Sequence, residues 1–343
     1  MSRLPSGKYR VKLYLYRDKD GKEHYKSFTA DSEKKAQKLA LQWQAEHVPE
    51  AGNPTLKQAC DIFLANRAGT LSPGTFRTYT NYINYLSTIY PDLFKTHLQA
   101  ISSERIQQLV SALSMKKNDR KKDCVISAKT VIDYYGLIET VLKTNGITLR
   151  NIKLPQLKRP DLNIPEDETV KTLLAAIRDT ELEIPVLLAA LGPMRRGEIC
   201  ALKLENIDFD KHIVHVRGNM VMNVDKEWII KIPKTGAGLR DIEYPAYVTD
   251  LIREKGHITN CNPNTLTHRF ERVLKKKGIQ HFRLHDLRHY AASFLLTLKI
   301  PPIYVMERGG WNSEASMKRY LHALDKQKKE FADLANAEFT RLF

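Results

Sequence analysis

Apolar and polar positions follow different rhythms along this chain. Tyr9, Val11, Leu13 and Leu15 alternate with Arg10, Lys12, Tyr14 and Tyr16, the period of a half-buried strand. Asp18-Lys19-Asp20-Gly21 reads as a hairpin turn, Gly21 supplying a positive φ, and residues 22–29 return as a second strand. Asp31 or Ser32 can cap a following helix that carries Ala36, Leu39, Ala40, Trp43 and His47 on one face. A linker at residues 48–54 ends this module, and from Thr55 to about Asn151 the period is helical. One stripe is Leu56, Ala59, Cys60, Phe63 and Leu64; a second, opened by Ser72-Pro73, is Phe76, Tyr79, Ile83 and Leu86. Ile106, Leu109, Val110 and Leu113 form a third, and Val131, Tyr134, Tyr135, Ile138, Val141 and Leu142 a fourth, which Asn145-Gly146 ends. Beyond a Pro- and charge-rich linker at 154–165, helices are predicted near 166–179 and 182–203, strands near 212–217, 227–232 and 239–243, and helices from Asn264 onward.

The predicted fold is therefore multidomain and mainly α. A small N-terminal α+β module (β-hairpin plus helix) covers 1–48, an all-α domain 54–154, and an α-rich domain with a small antiparallel sheet 164–343.

Charge narrows the choice of partner. The 343 residues carry 55 Lys and Arg against 39 Asp and Glu, a formal +16, which points to a polyanion: nucleic acid first, an acidic membrane surface second. The longest apolar stretch, 184–194, is interrupted by prolines and far too short to span a bilayer. The N-terminus lacks the apolar core of a secretion signal. Cys60, Cys124, Cys200 and Cys261 are scattered without a CxxC pair, so a reduced, cytoplasmic protein with no metal site is expected. Residues 1–48 hold 11 basic and 6 acidic residues. Arg10, Lys12, Tyr14, Tyr16, Lys22 and Lys26 are read there as a groove-binding sheet face. Lys116, Lys117, Arg120, Lys121 and Lys122 are read as a loop that reaches phosphates. An ordinary solvated surface is the plain alternative for both.

Six residues carry the candidate chemistry: Arg195, Lys234, His285, Arg288, Trp311 and Tyr320. Taken singly, each has an ordinary explanation: surface arginine, hairpin lysine, chance HxxR, core tryptophan or average tyrosine. Together they supply two guanidinium clamps, proton donors and acceptors, and a phenolic nucleophile, a set able to attack a phosphodiester without a metal. His285 and Arg288, three apart, share a helical face. Tyr320, with an ordinary pKa near 10, needs a positive field and a proton acceptor, and His285 is expected to be that acceptor.

In this order the residues resemble the tyrosine recombinase (phage integrase) family. Arg195 with Glu198 matches the first catalytic arginine and its acidic companion, and Lys234 in Lys-Thr-Gly the hairpin lysine. His285-Asp286-Leu287-Arg288-His289 matches the HxLRH box, and Trp311 stands where relatives have His or Trp, nine residues before Tyr320. Gly192-Pro193 departs from the family's Thr-Gly, which leaves Arg196 as an alternative to Arg195.

The resemblance implies a site-specific recombinase or integrase, of a prophage or conjugative element, that joins DNA through a 3′-phosphotyrosine without cofactor. It implies arm-binding, core-binding and catalytic domains, double-stranded DNA with core-type and arm-type sites, a homo-oligomer (a tetramer on DNA), and directionality and DNA-bending partners. Glu198, Asp286 and His289 would support the site. The C-terminal stripe Leu324, Phe331, Leu334, Ala335, Phe339 and Leu342 would dock on a neighbouring protomer, with packing on its own domain as the alternative. Rival readings are a topoisomerase-like enzyme, a Xer-like resolvase and a DNA-binding regulator with an impaired pocket.

Overall fold

The alternation near the N-terminus forms a sheet. In the computed structural model, which describes residues 2–3, 6–17, 23–47, 53–119, 123–157, 162–232, 238–313, 320 and 328–342, β1 (Ser2–Arg3), β2 (Tyr9–Arg17) and β3 (Glu23–Ala30) pair antiparallel in that order. Cross-strand partners share a face. Lys12 stands opposite Ser27 and Tyr14 opposite Tyr25, but Lys26 stands opposite Leu13 and so lies on the other face from Lys12. The register shifts between Tyr14 and Tyr16. Ser32 caps α1 (Glu33–His47), its hydroxyl accepting from the Lys35 backbone N–H. Ala36 and Ala40, one turn apart, are buried where α1 meets the sheet, whereas Leu39, expected on that face, is exposed. Two small side chains allow close approach of the helix, and the larger neighbour is left beside the contact. The hairpin turn at 18–21 and Lys22 lie outside the described residues.

The chain divides into two compact units, Met1–Arg159 and Pro160–Phe343. The rest of the first unit is helical: α2 (Leu56–Ala65), α3 (Pro73–Ile89), α4 (Pro91–Phe94), α5 (Ser103–Met115) and α6 (Ala128–Thr144). Thr55 and Gln58 form a capping box on α2, and Ser72 caps α3 with Pro73 in its first turn. The four predicted stripes converge in one core, with Leu56, Leu86, Ile106 and Leu142 fully buried. Between α5 and α6, Lys117 bridges Val125; Lys117 is exposed, and half-buried Lys116 pairs with Asp119 at 3.5 Å. Arg120, Lys121 and Lys122 are outside the described residues.

In the second unit the helix predicted over 182–203 is broken. α7 (Asp167–Ala176) and α8 (Glu183–Leu191) are followed by a bend at Gly192-Pro193-Met194, and only then by the single turn α9 (Arg196–Ile199). Pro193 has no N–H to continue the helical ladder, which explains the break. Next come β4 (Ile207–Asp208), β5 (Ile213–Val216), β6 (Asn219–Met222), β7 (Trp228–Lys231) and β8 (Arg240–Glu243). They form a β4-β5-β8 sheet and a separate β6-β7 hairpin; β6 is an addition to the predicted strands. The remaining helices are α10 (Ala246–Lys255), α11 (Pro263–Lys276), α12 (Leu284–Thr297), α13 (Pro302–Gly309) and α14 (Lys328–Leu342). α12 packs along the apolar α8 and against α13, which brings the HxLRH turn to the Gly192–Met194 bend. Phe339 and Leu342 on α14 are exposed. Among the described residues no helix is long and apolar enough to cross a membrane.

Candidate active site

Two helix starts use the same device to position an arginine turn. At α9 the Glu198 carboxylate reaches back to accept the Arg195 backbone N–H at 2.8 Å. At α12 the Asp286 carboxylate accepts the Arg283 backbone N–H at 2.7 Å. Both carboxylates are buried and both are ionised. Burial alone would raise Glu198, but hydrogen bonds and charge from Arg240 and Arg195 outweigh it and lower its pKa; for Asp286, burial is outweighed in the same way by Arg283.

Arg195 has extended backbone, as the residue after the bend, and its guanidinium divides between two partners. Nη1 donates to Glu198 Oε1 at 2.6 Å and Nη2 to the Gly310 carbonyl at 2.9 Å. Arg196 points elsewhere, to the Thr267 hydroxyl at 2.9 Å, so Arg195 is the arginine at the site. The other side of Glu198 is held by a residue the sequence reading missed. Arg240, buried on β8, donates to both Glu198 oxygens at 3.2 and 2.8 Å and, through Nε, to the Arg308 carbonyl at 2.8 Å. A signal was present: Arg240 alternates with Ile242, which faces the core.

Arg288, 1% exposed, donates to the Pro193 carbonyl at the bend, and its guanidinium lies 4.0 Å from the centre of the Trp311 ring. Burial and then the charge of Arg195 lower its pKa to about 9, so it is still a cation at neutral pH. Trp311 is placed by the left-handed turn at Gly310 and by its backbone N–H, which donates to the Met306 carbonyl at 3.0 Å. Gly309 is required beneath it, because a β-carbon there would lie 1.8 Å from the indole ring. Gly192 is required in the same way, since a β-carbon would meet the Tyr244 hydroxyl. Tyr244 donates that hydroxyl to the Leu188 carbonyl at 2.9 Å, and so fills the space beside the Gly192-Pro193 departure.

Tyr320 reaches this pocket from its own chain. It is 1% exposed, edge-on to Trp311 with ring centres 5.7 Å apart. Its hydroxyl lies 2.5 Å from Nδ1 of His289 rather than beside His285. His289 is buried, and His285, exposed at the mouth, meets it edge-on at 4.9 Å. Desolvation, His285 and Arg288 together lower His289 to about 4, and desolvation with Arg288 and Arg283 lowers His285; both imidazoles are neutral at pH 7. Lys234 lies outside the described residues, as do the side chains of Tyr14 and Tyr16; Lys12 and Lys26 are exposed and Arg10 is half-buried. Among the described residues there is no His, Cys, Asp and Glu grouping fit to hold a metal.

Two arginines, two neutral histidines, an indole and a phenol thus come together, a set with the cations, proton acceptors and nucleophile that phosphoryl transfer requires. Residues 164–327 match the model of the phage integrase family, and 55–114 that of the phage integrase N-terminal SAM-like domain. Over 96% of each chain the sequence is 23% identical to a tyrosine recombinase XerC-like protein of Caldanaerobacter subterraneus subsp. tengcongensis. The fold matches the Tn1549 transposon integrase in complex with transposon right end DNA, with a TM-score of 0.64 over 82% of this chain and 99% of that one at 16% identity. It also matches lambda integrase in a tetramer bound to a Holliday junction, at 0.53 over 93% and 96% with 17% identity. The class is that of the multidomain, site-specific tyrosine recombinases. Within it, this chain belongs to the phage integrase family.

Proposed function

We propose that the protein integrates and excises a mobile element by cutting and rejoining DNA at specific sites through a covalent 3′-phosphotyrosine on Tyr320. Arg195 and Arg288 grip the non-bridging oxygens of the scissile phosphate and stabilise the pentavalent state. Trp311 packs the site and offers its indole N–H, a donor only, to a phosphate oxygen. Lys234 protonates the leaving 5′-oxygen, with His285 at the mouth as a further proton handler. Glu198 and Asp286 hold the arginine turns. The link retains the energy of the phosphodiester, so rejoining needs neither nucleotide nor cofactor.

Residues 1–48 serve as an arm-type DNA-binding domain, 54–154 as a core-binding domain and 164–343 as the catalytic domain. The protein acts in the cytoplasm as a tetramer on paired sites, the C-terminal segment joins protomers, and accessory proteins bend DNA and set direction. Arg10, Lys12, Tyr14, Tyr16 and Lys22, together with Lys116, Lys117, Arg120, Lys121 and Lys122, track the backbone of these sites, while Lys26, on the other face of the sheet from Lys12, is left out of that contact. A formal charge of +16 and the DNA bound by the structurally similar Tn1549 and lambda integrases support this partner. The XerC-like relative, matched over 96% of both chains, favours resolution of chromosome dimers as the second reading.

What carries the proposal is the convergence of Tyr320, Trp311, Arg288 and Arg195 within one chain. The test begins with a pool of nicked duplexes of randomised sequence, incubated in EDTA and retained on the protein through a denaturing wash. Sequences retained by the wild type and not by Tyr320→Phe are its cleavage sites. A pool that yields no retained sequence contradicts the proposal. If the retained sites occur as matched copies in element and host, the integrase reading holds; a single chromosomal site shared by sister copies selects the resolvase.

A further inference from the structure

The phenol and its partner histidine are the least expected pair in this pocket. Tyr320 and His289 are 31 residues apart in sequence, yet the hydroxyl and Nδ1 lie 2.5 Å apart, both side chains buried. The two rings are tilted by 42° with centres 5.5 Å apart, so the contact runs through the polar atoms and is not a ring stack. A phenol is a far stronger acid than a neutral imidazole N–H, so the hydroxyl donates and Nδ1 accepts, with the ring proton on Nε2.

We propose that His289, the second histidine of the HxLRH box, is the catalytic base that takes the proton of Tyr320, resting on the recombinase reading above. In the step, the Oη–P bond forms as the phenolic proton moves to Nδ1. The P–O5′ bond breaks, and the 5′-oxygen leaves with a proton from Lys234. His289 finishes as an imidazolium and returns its proton to the phenol on religation.

The groups around His289 explain why transfer waits for DNA. In the free protein desolvation is the largest cause that holds it at about 4; the cations Arg288 and Arg283 also oppose a charge on its ring, as a charged His285 would, while Asp286 favours one. The proton therefore stays on oxygen. A phosphodiester bound between Arg195 and Arg288 brings a negative charge beside those cations and removes much of their opposition. His285, open to solvent at the mouth, remains available to the phosphate side of the reaction.

The test uses the full-length protein and a duplex retained from the random pool. His289→Ala should slow adduct formation by on the order of 10²–10⁴, the usual contribution of a general base. His289→Asn, whose amide oxygen can accept from the phenol but takes up no proton, should be comparably slow. Binding of the intact duplex should be unchanged in both. Added imidazole should restore the alanine variant. Its rate should also rise by about tenfold per pH unit from 7 to 9, towards the ordinary phenol range, while the wild type changes little. A scissile linkage with sulfur in place of the 5′-oxygen needs no leaving-group proton. The His289→Ala defect should persist on it, whereas a Lys234→Ala defect should shrink.

His289→Asn within about threefold of wild type would reduce His289 to a positioning residue and overturn the proposal. So would recovery of His289→Ala on the thio substrate, which would assign the histidine to the leaving group. If the wild type itself forms no adduct, the recombinase reading fails first, an outcome distinct from either.

Discussion

Arg240 and Glu198 form a buried ion pair on which Arg195 is assembled. Both side chains are under 5% exposed, and the carboxylate that accepts from Arg240 at 2.8 Å also accepts from Arg195 at 2.6 Å. Breaking a buried pair by removing one partner costs about 3–5 kcal/mol, because the remaining charge stays in a poorly solvated place. Arg240→Met should therefore lower stability by roughly that amount in urea titrations. Its adduct formation should fall as well, although Arg240 itself need not touch DNA. An unchanged urea midpoint would show that the pair contributes nothing.

What the sequence made legible follows from distance along the chain. His285, Asp286 and Arg288 lie within one turn of one helix, so their spacing alone places them together. The helical stripes were legible because each buries its own face. Arg240 was missed because a charged residue in a strand reads as solvent-facing. Only its alternation with Ile242 hinted otherwise, and its partner is 42 residues away. The break at Gly192-Pro193 was visible as composition, but a continuous apolar pattern from α8 through Ile199 and Leu202 masked it. The choice between His285 and His289 for the phenol depends on how α12 and the Tyr320 segment meet, and no local pattern encodes that.

Acid should expose the burial of His289. The unfolded chain protonates a histidine near pH 6.5, whereas the folded one resists until about pH 4. The unfolded state thus binds more protons across that window. This contribution to stability is complete above about pH 6.5 and falls by about 1.4 kcal/mol per unit below it. Between pH 7 and 5 the wild type should lose about 2 kcal/mol more than His289→Asn, measured by urea denaturation. Equal losses would mean the imidazole is not held neutral by the fold.

Gly309 should not tolerate a methyl group. An alanine β-carbon there would lie 1.8 Å from the Trp311 ring, and the ring cannot move without leaving Arg288 and Tyr320. Gly309→Ala should cost about 1–3 kcal/mol through overpacking and reduce adduct formation with it. Gly192→Ala, which collides with the Tyr244 hydroxyl at 1.6 Å, should be destabilising by a similar amount and relieved in part by Tyr244→Phe. Thermal denaturation of the single and double variants checks both.

Arg288→Lys should behave as a loss and not as a conservative change. The guanidinium donates to the Pro193 carbonyl and lies against Trp311, with further N–H groups left for a phosphate; an ammonium supplies only a point charge. Single-turnover cleavage should drop on the order of 10²–10³ for Arg288→Ala, with lysine recovering little of it.

The most direct test of the account is the chemical identity of the trapped adduct. Wild-type protein is incubated with a nicked duplex from the retained pool, the complex is digested with nuclease and protease, and the peptides are read by mass spectrometry. The account predicts a nucleotide joined through its 3′-phosphate to Tyr320, with a free 5′-hydroxyl on the released strand. A nucleotide on any other residue, or a linkage through a 5′-phosphate, would contradict it.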